Sequence, residues 1–409
     1  MPLTRSERNL MVVLALITMS GPMSLTILFP ALPALEIDFS ISRELAQVTT
    51  SLATLILAPG VLIYGPLADR FGRRPPLLGA LLLLCAGSVI CIFSPNVETL
   101  ILGRCLQGLG AAGCITLARV MLRDAFGQKR LPQMLAILTM AMMVGPMMAP
   151  ALSGYLTEHF GWRSIFIFLT AFFVVLLAMF LRIEETFLPR KSGGRRAFRA
   201  LLVNPRFLRY AFATGMIVGG YYCFGAGAPH VVETMLGHSP TTYGLWTMAL
   251  SSFYFFGTMS SIWLGPRLGV NGSMMLGMSF STAAAVALLV MLYYWEWSLT
   301  VLFVGMAPWA FASGIFMPNA QAGALTSAGP HAGTASAITA FLQHVFGAIG
   351  MQLVGTVLID TPYPMVYCVL AFSGLTLVCV ASRVGSLTRA VRRSGAASAG
   401  RPAGRQPQR

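Results

Sequence analysis

The sequence contains few charged residues. Of its 409 residues, only 10% are Asp, Glu, Lys or Arg, whereas 56% are apolar. Soluble domains carry roughly 25% charged residues. Folding this chain in water would leave more apolar surface exposed than a soluble protein tolerates. The composition therefore excludes an ordinary soluble multidomain protein and predicts an integral membrane protein.

Acidic residues are the scarcest charged class, with 13 against 28 basic residues, for a net charge of +15. A nucleic-acid-binding protein would cluster its basic residues on one folded face. Here they lie between long apolar runs, so we expect no nucleic-acid partner. The chain also lacks a phosphate-binding glycine loop followed by lysine, a zinc motif and a nucleophile elbow. We therefore predict no enzymatic activity, no ATP-driven transport, no cofactor and no metal.

Twelve apolar runs are each long enough to cross a bilayer as a helix, which takes about 20 residues. They cover approximately 10–33, 46–66, 75–95, 98–122, 132–157, 162–183, 207–231, 241–264, 272–294, 298–320, 332–359 and 362–383. None alternates like a strand of a membrane barrel. We number these runs as spans one to twelve and predict an all-α membrane protein.

The basic residues predict the orientation of the spans. If both termini are cytoplasmic, the inner segments hold 24 of the 28 Lys and Arg residues, and the outer loops hold only Arg43 and Arg163. This asymmetry follows the positive-inside rule, and moving the chain by one span would destroy it. The positive charge therefore indicates orientation rather than a binding partner.

The longest basic loop divides the chain into two halves. We predict a first six-helix bundle over 1–188, a flexible cytoplasmic linker over 189–206, a second six-helix bundle over 207–385, and a disordered basic tail over 386–409. Two such bundles are typical of transporters built from repeats. A membrane sensor that does not transport would need a folded signalling domain at one terminus, and the short tail offers none.

The loop between spans two and three has an ordered motif, Gly-Pro-Leu-Ala-Asp-Arg-Phe-Gly-Arg-Arg over 65–74. It resembles the signature loop of the major facilitator superfamily, and the corresponding loop of the second half, 265–269, is a degraded copy. The resemblance implies a cytoplasmic gate in which Asp69 accepts hydrogen bonds from the second half and Asp124 pairs with loop arginines. The implied gate residues are Gly65, Asp69, Arg70, Gly72, Arg73, Arg74 and Asp124. The alternative is an ordinary positive-inside loop.

Two further motifs narrow the resemblance. Span four contains Arg104 with Gln107 and Gly108, and span five contains a bending motif made of Gly145, Pro146, Pro150 and Gly154. Together they resemble the twelve-span drug:proton antiporters of the bicyclomycin/chloramphenicol-resistance branch. The resemblance implies a multi-pass protein of the bacterial cytoplasmic membrane that exports amphiphilic drugs by proton antiport. We expect it to work as a monomer in the lipid bilayer.

An acidic residue is missing from span one. Thr26 stands where this branch usually carries the carboxylate that couples transport to protons, and no acid lies deep in any span. With Arg104 in the membrane, we expect neutral or anionic substrates. His344, near the middle of span eleven, is the titratable substitute because its ordinary pKa lies near 6.5. The alternative is an uncoupled exporter or facilitator of one specific metabolite.

The predicted substrate cavity is apolar with a few convergent polar groups. Its candidate residues are Thr26, Arg104, Tyr221, Tyr222, Tyr254, Asn319, Gln343 and His344. His230 and Glu233 lie near the outer end of span seven, where we expect either a pair or ordinary rim positions.

Overall fold

The described chain, residues 4–186, 194–357 and 361–381 of a computed structural model, is almost entirely helical. Several helices begin after a residue whose side chain caps the first turn, including Thr4, Ser42, Asn96, Ser239 and Ser298. In chain order the helices are α1 (Arg5–Thr26), α2 (Leu32–Asp38), α3 (Arg43–Phe71), α4 (Arg74–Ile92), α5 (Val97–Phe160), α6 (Arg163–Phe180), α7 (Gly194–Leu202), α8 (Pro205–His230), α9 (Pro240–Tyr294), α10 (Leu299–Ala328), α11 (Ala332–Val357) and α12 (Tyr363–Ala381).

Helix α5 contains two of the predicted spans. Its apolar stretches Val97–Phe126 and Gln133–Phe160 are each long enough to cross a membrane. A straight helix of 64 residues would be about 96 Å long at 1.5 Å per residue. Yet the residues just outside its two ends meet, because Arg163 Nη2 donates to the Ser94 carbonyl over 3.2 Å. The chain therefore reverses between the two stretches, as the separation into spans four and five predicted.

Helix α9 also reverses its direction. Its 55 residues include Gly269, whose φ of 66° breaks the helical path. Tyr243, near the start of α9, packs with Phe303, which lies just after the end of α9. Both ends of α9 are therefore close together, and the break at Gly269 separates spans eight and nine. Glycine suits this position because a left-handed backbone carries no side-chain penalty there.

Ten apolar helices in the described residues are long enough to span a membrane. In that number α9 is one helix and α8, with 26 residues, is not included. Two crossings by α9 and one by α8 would bring the total to the twelve predicted. The exact number and the cytoplasmic position of the termini stay predictions.

The predicted linker contains a short helix. We had predicted a flexible linker, but helix α7 occupies Gly194–Leu202, so this part of it is helical. Residues 187–193 and the predicted tail over 386–409 lie outside the described part of the chain. The boundaries of the two bundles therefore stay predictions.

The two halves contact each other on the predicted outer side. Gln47 Nε2 donates to the Ala226 carbonyl over 2.8 Å, and Ser51 Oγ bonds to Gln352 Oε1 over 2.9 Å. Near the outer end of α5, Glu158 accepts from the Thr241 amide over 3.3 Å. Among the described residues, the hydrogen bonds between the halves lie from the outer ends of the helices to their middle. These hydrogen bonds therefore join the two halves on their predicted outer side.

Candidate functional site

The loop between α3 and α4 is built around a buried arginine. The side chain of Arg73 is 1% exposed, and its Nε lies 2.9 Å from Asp124 Oδ2. Its Nη1 lies 2.7 Å from Asp69 Oδ1. Burial opposes the charge of Arg73, but the hydrogen bonds to Asp124 and Asp69 outweigh it and raise the pKa of the guanidinium. Arg73 is therefore held as a cation between two carboxylates.

Glu185 closes the same loop from the end of the first half. Its carboxylate accepts from the backbone amides of Arg73 and Arg74, each over 3.0 Å. Such an anion stabilises the start of α4, because the first amides of a helix carry partial positive charge. Arg74 Nη2 also donates to the Leu181 carbonyl over 2.8 Å. The sequence assigned no role to Glu185, although an acid just after span six is a visible signal.

Among the described residues, no hydrogen bond joins Asp69 to the second half. Asp69 bonds to Arg73 of its own loop, so our expectation that it accepts from the second half is not met here. The guanidinium of Arg70 lies over the ring of Phe71 at 5.2 Å from its centroid. No atom lies within 4 Å of the β-carbon position of Gly65. The hydrogen bonds described for this loop are with the first half.

We had predicted that Arg104 faces the substrate cavity, and this prediction is wrong. It is 1% exposed and donates to the Ser24 carbonyl over 2.7 Å and to Gln107 Oε1 over 2.6 Å. Longer contacts reach the carbonyls of Leu25 and Thr49, at 3.5 and 3.4 Å. An arginine inside the membrane needs such acceptors. Arg104 therefore joins α1, α3 and α5 within the first half.

We expect Arg104→Lys to lower stability without changing substrate selectivity. A lysine keeps the charge but lacks the fork of donors that reaches acceptors on three helices. Leaving buried acceptors unpaired costs about 1–3 kcal/mol. The unfolding temperature in detergent should fall, whereas Arg182→Lys, at an exposed position, should leave it nearly unchanged. A change in the preference between neutral and cationic substrates would contradict this assignment.

Three other predicted cavity residues are also packed within the protein. Thr26 is 2% exposed and donates to the Pro22 carbonyl over 3.2 Å. Asn319 Nδ2 donates to Ser261 Oγ over 2.7 Å and to the carbonyl of its own helix one turn before. The ring of Tyr222 is buried against Phe29 of the first half at 6.0 Å. The first two are satisfied locally, and Tyr222 belongs to the outer seal.

A different set of polar groups lies between the halves, namely Arg119, Gln343 and His344, which we call the central cluster. Arg119 and His344 lie within electrostatic range of each other, on α5 and α11. Gln343 Nε2 and His344 Nδ1 are buried and have no hydrogen-bond partner among the described residues. Half-buried Tyr221 and Tyr254 lie near each other on α8 and α9. The central cluster therefore offers polar atoms that no group in the described part of the chain satisfies.

Arg119 lies in span four near its predicted cytoplasmic end, a position from which arginine side chains usually extend to the membrane surface. Instead its Nη2 lies 3.2 Å from the sulfur of Met142, a weak acceptor. Met142 is nine residues inside the apolar stretch Gln133–Phe160, or about 14 Å along the helix axis. The guanidinium therefore points into the membrane region rather than toward the predicted cytoplasmic surface.

The glycines of the span-five motif have two different neighbours. A β-carbon on Gly145 would lie 2.7 Å from Met19 Cγ, within the first half. A β-carbon on Gly154 would lie only 2.2 Å from the Pro240 carbonyl of the second half. Gly244 returns the contact, since its β-carbon would lie 2.3 Å from the Pro150 carbonyl. The outer end of the motif therefore forms a backbone contact between the halves.

A second group of ionisable residues, which we call the outer cluster, seals the outer side. It consists of Glu36 and Arg43 from the first half and His230 and Glu233 from the second. His230 Nε2 contacts Arg43 Nη2, and His230 Nδ1 lies 3.8 Å from Glu36 Oε2. One alternative from the sequence was a pair between His230 and Glu233. The contacts described for His230 are instead with the first half. Glu233 Oε1 is buried without a hydrogen-bond partner among the described residues.

Comparisons with known proteins agree with the helical architecture. The profile of the Major Facilitator Superfamily matches residues 14–351. The chain is 24% identical to a bicyclomycin resistance protein homolog of Haemophilus influenzae, over 87% of this chain and 90% of that protein. It is 28% identical to a chloramphenicol resistance protein of Pseudomonas aeruginosa, over 87% of each. A bacterial homolog of the human lysosomal transporter Spinster has a similar fold, with a TM-score of 0.73, 16% identity and coverage of 93% of this chain and 96% of that one.

Proposed function

We propose that this chain, which belongs to the major facilitator superfamily, exports small amphiphilic compounds in exchange for protons. It is a multi-pass protein of the bacterial cytoplasmic membrane, and its relatives include drug-resistance transporters. The contacts between the halves on the predicted outer side fit one state of a carrier that alternates its access. In this state, substrate enters from the cytoplasm between the two halves.

The observation that carries the substrate proposal is the central cluster. Among the described residues, Arg119 has only a thioether as its hydrogen-bond acceptor, and Gln343 and His344 each have an unpaired nitrogen. A substrate with carbonyl, nitro or carboxylate oxygens would satisfy these groups, whereas a cation would be repelled by Arg119. The substrates are therefore neutral or anionic amphiphiles. The half-buried aromatic rings of Tyr221 and Tyr254 supply apolar contact surface.

His344 is a poor proton carrier in this arrangement. A protonated His344 would place a second positive charge beside Arg119 in a region away from bulk water, where like charges repel strongly. We propose instead that His344 remains neutral and binds substrate. We therefore expect His344→Gln to keep its dependence on the pH gradient.

Arg119→Gln is the variant that tests the substrate class. Hydrogen bonds to charged groups contribute about 1.5–3 kcal/mol, so the KM for an anionic substrate should rise roughly 10- to 100-fold. The KM for a neutral drug such as chloramphenicol should rise less. Uptake would be measured in inside-out proteoliposomes with a fluorescent anionic amphiphile, chloramphenicol and ethidium.

The matched control is Arg267→Gln, since Arg267 is an exposed arginine on the predicted cytoplasmic side. It should transport all three compounds like the wild-type protein. Wild-type uptake of ethidium as efficient as that of chloramphenicol would overturn the substrate proposal. Repeating each measurement with and without a pH gradient separates proton antiport from the uncoupled facilitator.

A further inference from the structure

The outer cluster contains an acid that the contacts between the halves leave unsatisfied. Glu233 lies just beyond the last residue of α8, in the π-helical turn Val231–Met235. Such turns are rare and frequently occur at functional sites. The turn holds Glu233 half-buried at the contact with the first half. Its Oε1 is inaccessible to water and has no hydrogen-bond donor among the described residues.

The titratable groups near Glu233 come from five helices. They are Glu36 of α2, Arg43 of α3, Glu158 at the end of α5, His230 of α8 and Tyr243 of α9. Arg43 is engaged with His230 and lies within electrostatic range of Glu36. Glu158 accepts from the Thr241 amide at the start of α9. Glu233 therefore faces two other carboxylates, and the nearby cation is already shared.

We propose that Glu233 carries the exchanged proton. The proton carrier would then lie in the outer cluster, which acts as the outer gate, and not in span one. This inference rests on the proposed antiport. When the outer side opens, Glu233 is released from its contacts with the first half and takes a proton from the outside water. Once neutral, the carboxyl group can be buried beside Glu36 and Glu158, which lets the outer side close.

The return step follows from the same geometry. With the outer side closed, Tyr243 lies within electrostatic range of both Glu233 and Tyr221. In the proposed cycle, substrate binding at the central cluster lowers the proton affinity of Glu233, and the proton passes to water on the cytoplasmic side. The resulting carboxylate is repelled by Glu36 and Glu158. That repulsion favours reopening once substrate is bound.

The direction of the pH dependence agrees with this cycle. Burial, and then the charges of Glu36 and Glu158, raise the pKa of Glu233 from an ordinary value of 4.5 to about 9 in the closed gate. A group whose pKa is higher in one state binds protons preferentially in that state. At a pH between 4.5 and about 9, closing the gate is therefore accompanied by uptake of a proton. The closed gate is favoured at low pH and loses this contribution as the pH rises toward 9.

Glu233→Gln tests the proposal, because glutamine is a permanently neutral substitute of nearly the same shape. In proteoliposomes, this variant should lose all chloramphenicol accumulation driven by a pH gradient, while chloramphenicol still equilibrates across the membrane. Detergent-purified wild-type protein should release protons on addition of chloramphenicol, and Glu233→Gln should release none. Glu233→Asp should keep part of the gradient-driven accumulation.

The matched control is Glu98→Gln, an exposed glutamate in the first turn of α5 on the predicted outer side, and it should remain coupled. Wild-type transport that ignores the pH gradient would overturn the proposed antiport itself. Coupled transport by both the wild type and Glu233→Gln would overturn only the role of Glu233. Loss of equilibration by a Glu233→Gln protein that elutes as a folded monomer would also overturn it, because Glu233 would then be a structural gate residue.

Discussion

Asp124→Leu is expected to destabilise the protein strongly. The side chain of Asp124 is fully buried, and its Oδ2 is paired with Arg73 at 2.9 Å. Removing it would take the fully buried carboxylate from the buried guanidinium of Arg73. Asp69, which is also bonded to Arg73, has a side chain that is 35% exposed. Breaking a buried ion pair by removing one partner costs about 3–5 kcal/mol, because an uncompensated charge remains inside. We expect a large fall in the unfolding temperature and in the yield of folded protein.

The test compares Arg73→Leu, Asp124→Leu and the double variant by thermal unfolding in detergent. The double variant should be more stable than Asp124→Leu, because it leaves no fully buried charge unpaired and the remaining Asp69 is partly exposed to water. Exposed Glu184→Leu, on the same predicted side, should unfold near the wild-type temperature. A double variant whose loss equals the sum of the two single losses would show that the pair is not coupled.

This ion pair also explains how the loop works in transport. Arg73 joins the loop between α3 and α4 to α5, and Glu185 joins the same loop to the end of the α6 segment. The cytoplasmic ends of four spans are thus held in one unit. A rigid first half is what a rocking motion between two bundles requires.

The helices and the loop motif could be predicted from the sequence because their signals are local. Apolar length identifies most spans, and a capping side chain precedes several of them. The boundaries within α5 and α9 were also visible, as polar residues near 127–131 and as Gly269. These features depend on residues close together in the chain, so no knowledge of packing was needed.

The roles of the two membrane arginines could not be predicted in the same way. Arg104 and Arg119 are fifteen residues apart, so they lie only about 60° apart around the helix. What separates them is their neighbours: Ser24 and Thr49 offer carbonyls to Arg104, and Arg119 meets Met142. Those acceptors come from other helices, and the sequence of span four contains no information about them.

We expect Gly154→Leu to abolish transport, because a leucine at this position would keep the outer side from closing. Its β-carbon would lie 2.2 Å from the Pro240 carbonyl oxygen and 2.9 Å from the Thr241 α-carbon. Both are backbone atoms, so no side-chain rotation relieves the overlap. Because Gly154 belongs to the first half and Pro240 to the second, the clash acts on the closed outer contact and not on either bundle alone.

The conformation can be followed by spin labels on Glu98→Cys and His238→Cys, two exposed outer positions in different halves, with the native cysteines replaced. The labelled protein with Gly154 intact should show two distances, a shorter one for the closed outer side and a longer one for the open outer side. The labelled Gly154→Leu protein should show only the longer distance. Gly79→Leu is the matched control, since no atom lies within 4 Å of its β-carbon position. A Gly154→Leu protein that still shows the short distance would refute a gate at this contact, because the two backbones cannot then be as close as Gly154 and Gly244 imply.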